Sequence, residues 1–189
     1  MNIPRFLALG VFATMIGCMD TVSVDVPAGD RVAAEHLSQL VGRWIDREMN
    51  VEEIRVTKAG NLISGSLYWD EATQKFLANN EDLDIRKIGD VYYMYVNLGN
   101  AISFLRLDLT DVDTIRIYIP APDKFQTAVD SGMLTGKVTR AKNGDLNVQI
   151  TADEKFSNGI LFGADWRDFY LPDMVVLKRD PRIKASRTK

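Results

Sequence analysis

The chain has 189 residues, 46% of them apolar and 26% charged, with 23 Lys and Arg against 26 Asp and Glu. This is the composition of one globular domain with a sizeable core, and it excludes wholesale disorder and a multi-span membrane protein. A single Cys (Cys18) and a single His (His36) exclude an intramolecular disulfide, the Cys/His zinc patterns and the usual Ser or Cys triads.

The first element is a leader. Arg5 is followed by an apolar and small-residue run, Phe6 to Gly17, too short to cross roughly 30 Å of hydrocarbon as a helix at about 1.5 Å per residue. It fits the apolar region of a secretory signal peptide, residues 1–17. The run ends in Met15-Ile16-Gly17-Cys18, which resembles the lipobox of bacterial lipoproteins. That resemblance implies removal of the leader, acylation of Cys18 and a membrane anchor through its acyl chains; several chains together attach stably where one would not. In such lipoproteins Asp directly after the Cys favours the inner membrane. Here Met19 intervenes before Asp20, so the resemblance implies the outer membrane, with the protein facing the periplasm. Residues 18–30, polar and small with Pro27 and Gly29, are expected to be the lipidated N-terminus and a short tether.

The folded domain is expected over 31–180. Arg31 to Leu40 reads as a short helix, with Val32, Leu37 and Leu40 on one face and Asp30 as N-cap. His36, beside Glu35 in this helix, has no partners for catalysis and reads as a surface residue. From Val41 the period changes to two. Strands are predicted over Arg43–Met49, Glu53–Lys58, Leu62–Trp69, Phe76–Ile88 with an irregular middle, Val91–Asn97, Ala101–Leu109, Asp113–Ile119, Leu134–Arg140, Asp145–Ile150 and Met174–Arg179. Turn signals separate many of them, including Ala59-Gly60-Asn61, Gly89-Asp90 and Asn143-Gly144. Short links between so many sequential strands favour an antiparallel up-and-down barrel, which leaves no open edge. One helix is expected between Asp123 and Gly132, after Pro120 and Pro122, and a weaker one over Asp153–Asn158. The fold class is therefore mainly β, a barrel with a short N-terminal helix and one or two short inserted helices.

The opening Leu40-Val41-Gly42-Arg43-Trp44 resembles the L-x-G-x-W start of lipocalin-like (calycin-type) barrels. The resemblance implies that Gly42 allows close approach of helix and strand, that Trp44 plugs the closed end, and that Arg179 or Lys178 at the end of the last strand packs across it as a cation–π contact. Tyr92 to Tyr95, Arg116 to Pro120, Met133 to Val138 and the ending Val175-Val176-Leu177-Lys178-Arg179 resemble bacterial envelope proteins of lipocalin-like type, a group that brings no activity with it.

If alternate residues line the interior, Trp69, Tyr93, Tyr95 and Leu105 are the candidate lining of a cavity for a small lipophilic or amphipathic molecule. The same residues equally suit a filled core, with a protein partner bound on the outside. Glu52 and Glu53 are adjacent and on a strand face opposite sides, so they cannot pair as catalytic carboxylates. Asp111, Asp113, Asp165 and Asp168 are loop carboxylates that suit turns or Ca²⁺. No phosphate-binding loop or nucleophile motif occurs, so no enzyme, no cofactor and no metal are expected. The last twelve residues hold six basic groups against Asp180, a charge of +5, leaving −8 on the rest. An acidic body repels nucleic acid, and the tail 181–189 suits a solvated end or contact with anionic headgroups.

Overall fold

A computed structural model describes residues 20–47, 50–70, 74–99, 101–154, 156 and 166–181, the side chains of 67–70 and 75–79 excepted. The leader, Cys18, the tail beyond Pro181, Asp165, the Trp69 side chain and much of the weaker helix over 153–158 lie outside these residues. No helix among the described residues is long and apolar enough to cross a membrane.

The chain is mainly β, and its centre is an up-and-down meander. Strands β1 (Thr21–Val24) and β2 (Asp30–Arg31) precede a 3-10 helix (Ala34–Leu40). Then come β3 (Gly42–Ile45), β4 (Val51–Val56), β5 (Leu62–Asp70), β6 (Lys75–Asp82), β7 (Asp84–Ile88), β8 (Val91–Asn97), β9 (Ile102–Asp111) and β10 (Thr114–Tyr118). The one regular α-helix among the described residues, α1 (Pro122–Asp130), is followed by β11 (Gly136–Arg140), β12 (Leu146–Ile150), a 3-10 turn (Trp166–Phe169) and β13 (Val175–Arg179).

Antiparallel pairing runs β3–β4–β5–β6, then β7–β8–β9–β10–β13, and β13 returns to β3. β6 and β7 are one strand in all but partner. Only Leu83 separates them, its N–H donates to the Leu62 carbonyl, and inward alternation continues through it to Ile85. Exchanging β5 for β8 at this point explains the irregular middle expected in Phe76–Ile88. The result is an eight-position barrel with an apolar interior drawn from almost every strand: Trp44, Ile54, Leu62, Ile85, Met94, Leu105, Leu107, Ile115, Ile117 and Leu177, with Leu37 and Leu40 of the 3-10 helix across one end.

A second core lies on the outer face of β8 and β9. Tyr93, Tyr95 and Phe104 point there, because alternate residues of a strand must face opposite sides. β12 pairs with β11 and, in parallel, with β1, which in turn pairs with β9. α1 lies over this extension and buries Phe125 and Ala128 against Val148, Ile150 and Phe104. Phe104 makes edge-to-face contacts with Phe125 and Phe156 at 5.7 and 5.4 Å.

Two expectations are corrected here. Of the tether expected over 18–30, residues 20–30 are described, and they are not a tether up to Arg31. Val22 and Val24 of β1 are buried, and Asp30 and Arg31 pair with Lys87 and Arg86. The alternation in Thr21-Val22-Ser23-Val24 supplies a strand with one apolar face. The helix expected over Arg31–Leu40 is a 3-10 helix starting at Ala34, without a side-chain cap. Ala33 holds the N-cap position, so Asp30 lies three residues too early to cap the helix.

Candidate functional site

The barrel wall around Trp44 combines two chemistries. At one end Trp44 is buried and its indole N–H donates to the Leu40 carbonyl at 2.7 Å. The Arg179 guanidinium lies 4.3 Å from the Trp44 ring centroid. It donates to the carbonyls of Val41 (3.1 Å), Gln39 (2.5 Å) and Val112 (3.0 Å) and meets the Asp113 carboxylate at 3.2 Å. Gly42 has φ +136°, and a Cβ there would stand 2.9 Å from Arg179 Nη1. So Gly42, Trp44 and Arg179 meet in a plug whose charged and polar groups are all partnered.

Among the described side chains the interior above the plug is packed. The cavity bounded by Leu40, Ile54, Leu83, Met94, Leu107 and Leu177 measures about 20 Å³, room for one water and no larger molecule.

Beside the plug the inner face of β4–β6 turns polar, Glu52 standing opposite Trp44. Glu52 stands opposite Ser66, and Ser64 opposite Glu81, so four oxygen-bearing side chains share the inward face of β4, β5 and β6. Glu52, Ser64 and Ser66 are 4–5% exposed. The Ser64 hydroxyl donates to Glu52 Oε1, whereas Ser66 Oγ is buried without a hydrogen-bond partner. Burial pushes the Glu52 carboxyl up to about 7, helped by the negative charges of Glu81 and Asp46. Its neighbour Glu53 faces outward, where Arg55 (2.6 Å) and Arg43 (3.3 Å) hold its carboxyl below the ordinary value. The two glutamates thus lie on opposite faces, as their spacing required.

The candidate ligand residues are not brought together. Leu105 is inside the barrel, but Tyr93 and Tyr95 are in the outer core, and the Trp69 side chain lies outside the described residues. The Tyr95 hydroxyl accepts the Ala28 N–H at 3.2 Å. The Tyr93 hydroxyl accepts from Arg106 Nη1 at 3.3 Å, and Arg106 lies 3.6 Å from the Trp166 ring centroid. Burial pushes the Tyr93 hydroxyl up to about 12 and raises Tyr95 and Tyr170 further. Trp166, Tyr118 and Tyr170 complete this cluster edge to face. These tyrosines are structural: the alternation that separates them from Met94 sends them to the wrong face for a barrel ligand.

Among the other candidates, His36 is exposed and 3.7 Å from Glu35. Asp111 accepts the Asp113 N–H at 2.9 Å, ordinary turn chemistry. Among the described residues no group of three or more His, Cys, Asp or Glu is placed to hold a metal ion. A surface groove of about 140 Å³ lies between α1 and the 3-10 turn, with Lys124, Met133, Asp168 and Phe169 on its walls and the Met133 side chain largely exposed.

The polar set Glu52, Ser64 and Ser66 was missed in the sequence. The available signal was the alternation itself: Glu52 shares a face with Ile54, and Ser64 and Ser66 share one with Leu62. Searches against protein-family models, curated proteins and solved structures return no match for this chain.

Proposed function

We propose that this protein is a non-catalytic, lipid-anchored lipoprotein of the bacterial envelope that works by binding a protein partner on its outer surface, its barrel serving as a filled scaffold. The observation that carries this reading is the interior. A lipophilic ligand needs a pocket of about 300 Å³ or more, and the cavity among the described barrel residues is about 20 Å³. The outside offers the groove beside α1, with Met133 and Phe169 as apolar anchors and Lys124 and Asp168 at its rim. An apolar centre with a polar border is the usual anatomy of a protein-binding surface.

The anchor has a geometric consequence. Asp20 accepts the Leu146 N–H at 2.6 Å, and β1 begins at the next residue. Cys18 lies two residues before Asp20, so its acyl chains attach within about 7 Å of the sheet. The turn between β11 and β12, with Arg140 and Lys142 exposed, therefore meets the headgroups, and Met133, before the opposite end of β11, lies away from the bilayer. Cys18→Ser should release the protein from membranes, and continued attachment would refute the anchor. For the partner, a photo-crosslinker at Met133 should give one discrete protein adduct in the native envelope, abolished by Phe169→Asp, while one at exposed Val112 gives none. Equal labelling from both positions would refute the surface assignment.

A further inference from the structure

β11 is the outer edge of the extension that carries the second core. Among the described residues its one neighbour in the sheet is β12. The bonds at both ends of this pair fix which backbone groups it uses. The Thr151 N–H donates to the Thr135 carbonyl and the Ala141 N–H to the Asp145 carbonyl, each at 2.9 Å. Bonded and non-bonded pairs alternate between antiparallel strands, so Thr135, Lys137, Thr139 and Ala141 bond toward β12. The N–H and C=O groups of Gly136, Val138 and Arg140 point the opposite way, where no described strand stands. The register is unbroken from Gly136 to Arg140, and neither a proline nor a bulge interrupts the edge. A straight, unpaired edge of this kind is a template for an added strand.

The charges along this edge select what is added. Lys137, Arg140 and Lys142 are exposed, and no Asp or Glu occurs from Ser131 to Gly144. Asp145, the one carboxylate of the β11–β12 hairpin, accepts from the Asn143 side chain. Two copies of this chain pairing through β11 would set these basic groups against each other, which opposes self-association. The same groups favour a strand of opposite sign. An anionic lipid surface would meet the charges, but it has no backbone to match alternating donors and acceptors.

We propose that β11 binds an extended acidic segment of another protein as an added strand. Main-chain bonds to Gly136, Val138 and Arg140 hold the segment, and Lys137 and Arg140 meet its carboxylates. This inference rests on the outer-surface reading above and gives that partner its mode of attachment, since Met133 of the groove leads into β11 through Leu134 and Thr135.

The test is fluorescence anisotropy of a labelled peptide, Thr-Glu-Val-Glu-Val-Glu-Thr, with the full chain in detergent, followed by residue-resolved amide exchange of the complex. Saturable binding is expected. The Val138 and Arg140 amides should slow about tenfold or more, while those of Lys137 and Thr139, already bonded to β12, stay unchanged. Lys137→Glu combined with Arg140→Glu abolishes binding. Val138→Pro removes an N–H that the fold itself does not use and weakens binding about tenfold or more. The same peptide N-methylated throughout does not bind, a control that needs no change in the protein. No saturable binding, equal binding of the N-methylated peptide or of an analogue with Lys for Glu, or slowing spread evenly over residues 137–140 overturns the proposal. Binding that survives N-methylation but not charge reversal marks a patch for any polyanion, and a dimer of the free chain that Val138→Pro dissolves marks a self-association edge; each overturns it too. The peptide reads the edge alone, whereas crosslinking from Met133 and its loss in Phe169→Asp read the groove, so the two readings fail separately.

Discussion

Two charged side chains flank Trp44, Arg179 across its ring and Glu52 opposite it on β4, and the fold treats them in opposite ways. Arg179 lies against Trp44 with carbonyls from Gln39, Val41 and Val112 and the carboxylate of Asp113 around it. Glu52 has one serine donor and like charges nearby. A buried charge stabilises a fold only where its partners replace the water it lost. The plug meets that condition and belongs to the scaffold. Glu52 does not, so its ionised carboxylate works against the fold at high pH.

Substitutions sharpen this contrast. The largest effect is expected from Trp44→Ala, which removes the plug and leaves a cavity at the closed end; a loss of about 3–5 kcal/mol in denaturant unfolding is expected. Glu52→Gln should act in the opposite sense. Its folded pKa, about 7, lies above the ordinary 4.5, so the folded state binds more protons between these values and wild-type stability falls as pH rises from 4.5 through 7. At pH 8 the variant should be more stable by up to about 3 kcal/mol, and the pH dependence between 5 and 8 should flatten. A variant less stable at pH 8 would mean that Glu52 is as well partnered as Arg179. Arg179→Met should cost about 2 kcal/mol through the lost charged hydrogen bonds, with no such pH dependence. Gly42→Ala should cost about 1–2 kcal/mol, since it combines a left-handed φ with a close approach to Arg179. The smallest effect is expected from Tyr93→Phe, about 1 kcal/mol for the hydrogen bond with Arg106, measured by the same unfolding curves.

How far the sequence revealed this arrangement follows from the range of each signal. The plug was legible because Leu40, Gly42 and Trp44 are neighbours in the chain and Arg179 ends the last strand. The meander was legible because its links are short. The second core was not. It joins Val22 and Val24 to Val148 and Ile150 through a parallel pairing across more than a hundred residues, and no local period announces such a contact. That pairing turned the expected tether into a strand. It also explains the tyrosines: Tyr93 and Tyr95 share a face with each other, as their spacing required, but two apolar faces were available on β8 and the sequence does not say which is inside. Glu52 was hidden because its environment comes from Ser64, Ser66 and Glu81 on two other strands. Adjacent Glu53, exposed and paired with arginines, looks the same in one dimension.

The central claim is that the barrel is a filled scaffold with a protein-binding exterior. It is tested most directly by native mass spectrometry of the full chain isolated from its own envelope. The account predicts the bare lipoprotein mass and no binding of fluorescent fatty-acid probes. A retained lipophilic molecule that a fatty-acid probe displaces, and that Leu105→Trp excludes from the interior, would contradict it.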